Sequence, residues 1–285
     1  MKPQEFNSTD PIAWCPGCGN FGIREAVKLA LSELGIAPWQ TCFVSGIGQA
    51  PKLPHYITCN LFNGLHGRTL PVAIGAKLAN PELVVIAEGG DGDGYAEGAN
   101  HFLAALRRNA DITYLVHDNQ IYGLTKGQTS PTSEMGMVTR STPWGVIMPA
   151  FNAPALAIAL DAGFVARGFA GNVPHLAGLI QQAIRHPGFA LVDILQPCVS
   201  FNKVNTAKWY RHRVYELGKD EPHDPTDRRR AFFKAREWGD RIPIGVLYRS
   251  ERRPYDIARA THGTTPLAAR EPDPAVITRL TERFR

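Results

Sequence analysis

Long apolar runs are missing from this sequence: nothing in it approaches the roughly 18 consecutive apolar residues of a membrane-spanning helix. The first ten residues, Met1 to Asp10, are polar and contain no apolar stretch of the kind a secretory leader carries. Cysteine is scarce, with five among 285 residues, and the number is odd. That is too few for a disulfide scaffold. These absences point to a cytoplasmic, soluble protein with no membrane partner, whose thiols are free, catalytic or metal-bound rather than bridged. Disorder is excluded too, because 44% of the residues are apolar and 20% are charged, enough for a sizeable core.

The net charge of +5 is uneven. Residues 201–285 hold 19 Lys/Arg against 12 Asp/Glu, whereas residues 1–200 hold 12 against 14. The basic excess belongs to the tail, where it reads as a solvated face or a docking surface for an acidic partner, with no nucleic acid required.

Residues 1–200 alternate helix and strand signals. Ile23, Val27, Ala30, Leu31 and Leu34 recur at helical spacing, with Asn20 as the expected N-cap and Gly35 as the stop. Short apolar runs at 41–45, 83–87, 112–116 and 191–195 read as buried strands, and helices are expected near 71–78, 95–108, 155–160 and 176–184. Near-continuous apolar strands alternating with helices predict an α/β fold, a mostly parallel sheet with helices on both faces. In such sheets ligands bind beyond the carboxyl ends of the strands. From residue 200 the alternation is expected to stop. Residues 201–285 then form a C-terminal extension on the main domain, its last 35 residues loosely ordered.

The strongest motif is Gly90-Asp91-Gly92-Asp93 at the end of one strand, with Asn119 after the next, 28 positions beyond Asp91. Glycines allow a backbone to approach a ligand closely. A following helix N-terminus favours an anion. Asp91 and Asn119 offer the hard oxygens that Mg²⁺ takes beside phosphate. A nicotinamide fingerprint fits worse, because no Gly-x-Gly-x-x-Gly opens a helix with an acid some 20 residues later. Cys15 and Cys18 form a Cys-x-x-Cys pair that by itself reads as a redox pair, half a zinc site or part of an iron–sulfur site. Cys42 sits within an expected strand and reads as a small buried residue.

Six segments occur in one order: Trp14-Cys15-Pro16-Gly17-Cys18-Gly19, Ser45-Gly46-Ile47-Gly48, Gly64-Leu65-His66-Gly67-Arg68, the Gly-Asp-Gly-Asp motif, Tyr122 to Gln128, and Gln196-Pro197-Cys198. Together they resemble the beta subunit of a 2-oxoacid:ferredoxin oxidoreductase, most closely the 2-oxoglutarate type, over roughly residues 10–250. The resemblance implies a thiamine-diphosphate-binding fold, with the cofactor domain and an N-terminal iron–sulfur arm in residues 1–200. It implies that Gly46, Ile47, Gly48, His66, Gly90, Asp91, Gly92, Asp93, Asn119, Ile121, Gly123, Leu124 and Thr125 bind thiamine diphosphate. Asp91, Asn119 and the Ile121 carbonyl would hold Mg²⁺. Gly127 and Gln128 would donate to diphosphate or substrate.

The same resemblance implies a [4Fe–4S] cluster held by Cys15, Cys18 and Cys198. The usual fourth cysteine, directly after Gly-Ile-Gly, is Gln49 here, and Cys59 is the expected replacement. His66 and Lys126 are the expected catalytic residues: His66 for proton transfer, Lys126 for the distal carboxylate of a dicarboxylic substrate. Lys52 is a second candidate for that carboxylate or for coenzyme A. The implied reaction is reversible oxidative decarboxylation of 2-oxoglutarate or pyruvate with coenzyme A, giving acyl-CoA and CO2, with electrons passed to ferredoxin. The chain has no room for a pyrimidine-binding domain, so an alpha subunit is expected to complete the site, as a heterodimer or a dimer of heterodimers. A non-redox thiamine-diphosphate decarboxylase or lyase subunit would need no thiol cluster. A zinc-binding nucleic-acid module would leave the Asp91–Asn119 pair unexplained.

Overall fold

The computed structural model describes residues 1–255, 265–271 and 273–284. Its framework is a sheet whose strands in chain order are β1 (Thr41–Ser45), β2 (Asn60–Asn63), β3 (Val84–Gly90), β4 (Thr113–Asp118), β7 (Phe164–Phe169), β8 (Ala190–Leu195), β9 (Val214–Glu216) and β10 (Ile242–Arg249). A separate two-stranded ribbon pairs β5 (Ile121–Tyr122) with β6 (Gln128–Thr129). Across the sheet the order is β2-β1-β3-β4-β8-β7-β10-β9. All neighbours run parallel except β10, which pairs antiparallel with β7. The strands β4, β7 and β8 are buried along their whole length, as expected for a sheet covered on both sides.

Helices cover the two faces. On one, α1 (Asn20–Glu33) and α5 (Val173–Arg185) bury Ile23, Val27, Leu31, Leu176 and Ile180 against Phe43, Ile86, Leu115 and Val192. On the other, α2 (Thr69–Ala79), α3 (Ala99–Arg108), α4 (Ala153–Ala159) and α7 (Arg228–Ala235) bury Leu70, Phe102, Leu106, Ile158 and Ala231 against Val44, Val85, Tyr114 and Leu191. A short α6 (Ala207–Arg211) presents Tyr210 to a third cluster with Phe169, Leu195 and Ile242.

Three local expectations are corrected. Gly19, not Asn20, is the N-cap of α1; Asn20 lies inside the helix, and its carboxamide oxygen is 2.8 Å from His117 Nδ1. The single helix expected over 95–108 is broken at Gly98: a wide π-helical turn spans Gly92–Glu97, and α3 begins after it. Such wide turns cluster at functional sites. Lastly, the alternation does not stop at residue 200, because β9 and β10 continue the sheet. Their pattern is masked by Pro243 and Gly245 within β10, and that of β7 by the buried Arg167. Residues 201–255 are therefore structurally continuous with the sheet. The loosely ordered end expected of the last 35 residues falls partly outside the described residues; within them, Pro274–Glu282 is an exposed helix. Among the described residues no helix is long and apolar enough to cross a membrane.

Candidate active site

The parallel strands β1, β3 and β4 deliver their carboxyl ends to one place. The loops that follow enclose a cavity lined by Ile47, Gly48, Gln49, Ala50, His66, Gly90, Asp91, Gly92, Asp93, Asn119, Ile121, Tyr122, Gly123, Leu124 and Thr125. The structure thus brings together the residues expected to bind cofactor, apart from Gly46. Gly46 lies just behind the cavity: a Cβ there would stand 2.1 Å from Asp93 Oδ2, so glycine is required by a carboxylate of the chain itself. Lys126 follows the last lining residue and is exposed, with a left-handed φ of 74°. Lys52 sits half-buried in the turn Ala50–Tyr56, outside the lining.

Asp93 is buried and fully engaged by protein. Its Oδ1 accepts from Ile47 N (2.9 Å) and Gly67 N (2.9 Å) and lies 2.7 Å from His66 Nδ1, while Oδ2 accepts from Thr69 Oγ1 (3.1 Å). With four protein partners, this carboxylate ties together the loops that line the cavity. It also fixes His66: Nδ1 is committed to Asp93, leaving Nε2 as the free nitrogen of a ring that borders the cavity.

Asp91 is the carboxylate left for a cation. Its Oδ2 is 2.7 Å from Thr132 Oγ1, and the same hydroxyl is 2.7 Å from Asp118 Oδ1. A hydroxyl has one proton to give. One of these contacts therefore needs a carboxyl proton, and the Asp91–Thr132–Asp118 trio holds one. Burial pushes Asp91 up to about 6. Burial, then the charges of Asp193 and Asp91, push Asp118 well above the usual carboxylate range. A cation on Asp91 would drive the shared proton onto Asp118. Neither Thr132 nor Asp118 was singled out from the sequence; the only available signal was the position of Asp118 beside Asn119. Asn119 Oδ1 accepts from Ile121 N (2.9 Å), and Asn202 Nδ2 donates to Asn119 O (3.1 Å), which sets the loop after β4. A carboxylate, an amide and a main-chain carbonyl lining one cavity suit Mg²⁺. A Cβ on Gly90 would meet only ordinary contacts, His117 O at 3.9 Å and Ala50 Cβ at 4.0 Å.

The thiols divide into two groups. Cys15 and Cys18 precede α1, and Gly19 N donates to Pro197 O (3.2 Å), tying this arm to the segment that carries Cys198. Ser200 Oγ donates to Cys15 Sγ (3.0 Å) and Gln196 Nε2 to Cys18 Sγ (3.4 Å). Burial pushes the Cys18 thiol up to about 11, with Cys198 and Cys15 among its charged neighbours. Cys59 lies in other company. Its Sγ faces the carbonyls of Pro54 (3.7 Å) and Ile57 (3.8 Å), and its thiol is pushed up to about 12 by burial and then by Glu88 and Cys42. Among the described residues no three His, Cys, Asp or Glu side chains surround a single ion. A cubane cluster spaces its thiolates farther apart than one ion does, and Cys15, Cys18 and Cys198 present three thiols to such a group. Gln49 Oε1 is buried without a partner.

Beneath the site, Glu88 and His117 are both fully buried, with His117 Nε2 3.3 Å from Glu88 Oε1. Burial holds the Glu88 carboxyl well above its ordinary 4.5 and drives His117 from 6.5 down to about 3. Burial thus favours the neutral form of each.

Residues 42–194 match the family described as thiamine pyrophosphate enzyme, C-terminal TPP binding domain, and residues 198–261 match the C-terminal region of the pyruvate ferredoxin oxidoreductase beta chain. The chain is 48% identical over 249 residues to a 2-oxoacid:ferredoxin oxidoreductase subunit beta of Saccharolobus solfataricus, covering 84% of this chain and 82% of that protein. It is 38% identical over 202 residues to a 2-oxoglutarate synthase subunit KorB of Archaeoglobus fulgidus, covering 71% and 75%. Among solved structures, it is similar to a 2-oxoglutarate:ferredoxin oxidoreductase from Magnetococcus marinus with 2-oxoglutarate, coenzyme A and succinyl-CoA bound. There the TM-score is 0.89 at 38% identity, covering 98% of this chain and 96% of that one.

Two predictions follow from this geometry. Asp93→Asn turns an acceptor into a donor facing donors, costing about 3 kcal/mol in stability. It should weaken thiamine diphosphate binding at least tenfold in a fluorescence titration, while iron content is retained. The second concerns pH. Between about 3 and 4.5 the unfolded chain binds two protons at Glu88 and His117 and the folded chain one; from 4.5 the unfolded Glu88 loses its proton while burial favours the protonated form in the folded chain. Above 6.5 the unfolded chain holds neither proton, so stability falls as pH rises, by at most about 1.4 kcal/mol per unit, for as long as burial keeps the folded Glu88 protonated. Glu88→Gln should remove this alkaline loss, raising the thermal midpoint relative to the parent protein at pH 8 and not at pH 5.

Proposed function

The chain belongs to the 2-oxoacid:ferredoxin oxidoreductase beta-subunit family, a thiamine-diphosphate-dependent oxidoreductase subunit, and we propose that its reaction is the reversible oxidative decarboxylation of 2-oxoglutarate with coenzyme A. Pyruvate is the second substrate to test. The observation that carries this reading is the convergence of Asp91, Asn119 and Ile121 on one cavity with Gln49 at its edge, next to the arm that bears Cys15 and Cys18. When bound, thiamine diphosphate supplies the electron sink for loss of CO2 and a [4Fe–4S] cluster accepts the electrons one at a time for ferredoxin.

The residues of the chain do the rest. Asp91, Asn119 and the Ile121 carbonyl hold Mg²⁺, and Gly90 and Gly92 line the cavity that takes the diphosphate. His66, fixed through Nδ1, holds or moves a proton at Nε2. Gln196 and Ser200 donate to the cluster thiolates and so tune its potential. Thr125 and Lys126 border the entrance, where a Lys ammonium pairs with the distal carboxylate of 2-oxoglutarate.

The cavity is half of a site. Its surroundings include exposed Ile47, Leu65 and Leu124, apolar surface of the kind that marks a protein contact. The proposed cover is the alpha subunit, which supplies the pyrimidine-binding domain, within a cytoplasmic assembly of two heterodimers. Purified alone, the chain should give no 2-oxoglutarate-dependent reduction of ferredoxin. Co-expressed with its alpha subunit it should turn over and release acyl-CoA; full turnover by the isolated chain would refute the reading. Lys126→Ala should raise the KM for 2-oxoglutarate about tenfold or more and leave pyruvate kinetics unchanged. Equal effects on both substrates would remove Lys126 from the carboxylate site.

A further inference from the structure

We propose that Gln49, through its carboxamide oxygen, caps the fourth iron of the cluster, and that Cys59 is not a ligand. This rests on the cluster assigned above and concerns a position where the chain departs from an all-cysteine set.

Four observations carry it. First, residue 49 is fastened to the cysteine arm: Trp14, directly before Cys15, donates from Nε1 to Gln49 O (2.8 Å). Trp14 is itself buried and held edge-on by Phe21 and Tyr56, with centroids 5.4 and 4.8 Å away. Second, Gln49 Oε1 is buried and has no hydrogen-bond partner. A buried carboxamide oxygen left unpaired costs free energy unless something not yet present completes it. Third, Gln49 lines the cofactor cavity, with its Cγ 3.7 Å from where a Cβ on Gly123 would be. The residue therefore joins the two regions, with its side chain in the cavity wall and its main-chain carbonyl on the thiol arm.

Fourth, strand register keeps Cys59 away. The strands β1 and β2 are parallel and Cys42 pairs with Asn60, so Cys59 lies level with Thr41, at the start of β1. Gln49 leaves from beyond Ser45, at the other end, roughly 13 Å farther along the strand at about 3.3 Å per residue. Recruiting Cys59 would mean unpairing β2.

An iron held by a neutral oxygen is more labile than one held by thiolate. Mild oxidation then releases it: the [4Fe–4S]²⁺ cluster loses one electron to ferricyanide and one Fe²⁺ to solution, leaving [3Fe–4S]⁺. The experiment follows this conversion by anaerobic electron paramagnetic resonance and by iron and sulfide analysis of the assembled alpha–beta complex. The unmodified protein is compared with Gln49→Ala, Gln49→Cys and Cys59→Ala. Gln49→Cys should slow the conversion and Gln49→Ala should hasten it, each by about tenfold or more, and Gln49→Cys should also lower the reduction potential. Cys59→Ala should match the unmodified complex in iron content and spectrum.

Loss of iron or an altered spectrum in Cys59→Ala overturns the proposal, as do unchanged conversion rates in both Gln49 variants. Gln49→Cys guards against misfolding, since it restores the usual thiolate. An unmodified complex free of iron and sulfide would instead refute the cluster assignment itself.

Discussion

The site is organised around one buried carboxylate. Asp93 gathers the loop after β1, the turn before α2 and the first residue of α2 onto two oxygens, through Ile47 N, Gly67 N, His66 Nδ1 and Thr69 Oγ1. A buried ionised group is tolerable only when so fully paired. That requirement propagates outward. It forces glycine at position 46, because the carboxylate occupies the space of a side chain. It sets the imidazole of His66 with one nitrogen spent and the other free. It needs the wide turn after Asp91, in which Gly98 N returns to Asp93 O (2.9 Å), to bring the carboxylate under these loops.

A second constraint is the density of acids beneath the cavity. Asp91, Asp118, Asp193 and Glu88 are all buried within the carboxyl-terminal parts of adjacent strands or directly after them. So many anions cannot coexist in low dielectric. The chain neutralises them in three ways. Asp193 meets Arg167 (3.8 Å) and the Tyr95 hydroxyl (2.8 Å). Burial favours the protonated form of Glu88 beside a neutral His117. Asp91 and Asp118 meet through one Thr132 hydroxyl. Of these four acids, only Asp91 lines the cavity. The arrangement keeps one acid available and silences the others.

How much of this was legible in the sequence depends on range. The strands at 41–45 and 191–195 and the helices near 71–78 and 176–184 were readable because local apolar period decides them. The Asp91–Asn119 pair was readable because one strand-to-strand step separates them. β7 and β10 were not, since Arg167, Pro243 and Gly245 break the apolar run and the energy that holds them is non-local pairing. That Asp93 ties these loops together was not readable, because its partners are 24 to 46 positions away. Cys59 is ten residues from Gln49 in sequence, yet strand pairing puts it level with Thr41, at the far end of β1, which sequence proximity does not reveal. Side-chain chemistry was legible; which end of the sheet each residue reaches was not.

The basic tail shows the same limit and bears on what the chain must meet. Its excess of Lys and Arg suggested a free docking surface, yet much of that charge is engaged internally. Lys234 pairs with Glu221 and Glu237, and Arg241 with Glu221. Arg252 donates to the carbonyls of Leu106, Arg107 and Asp161, closing the end of α3. Arg228 does the same at the end of α4 through Ile158 O and Ala159 O. These cations bind the last strands to the domain. One exposed apolar surface lies beside the site, where Leu61 and Phe62 on the edge strand β2 and Leu65 beside His66 are exposed. An open apolar strand edge invites pairing with another chain. This edge adjoins the cavity, so the contact that would cover it is also the contact that would close the site.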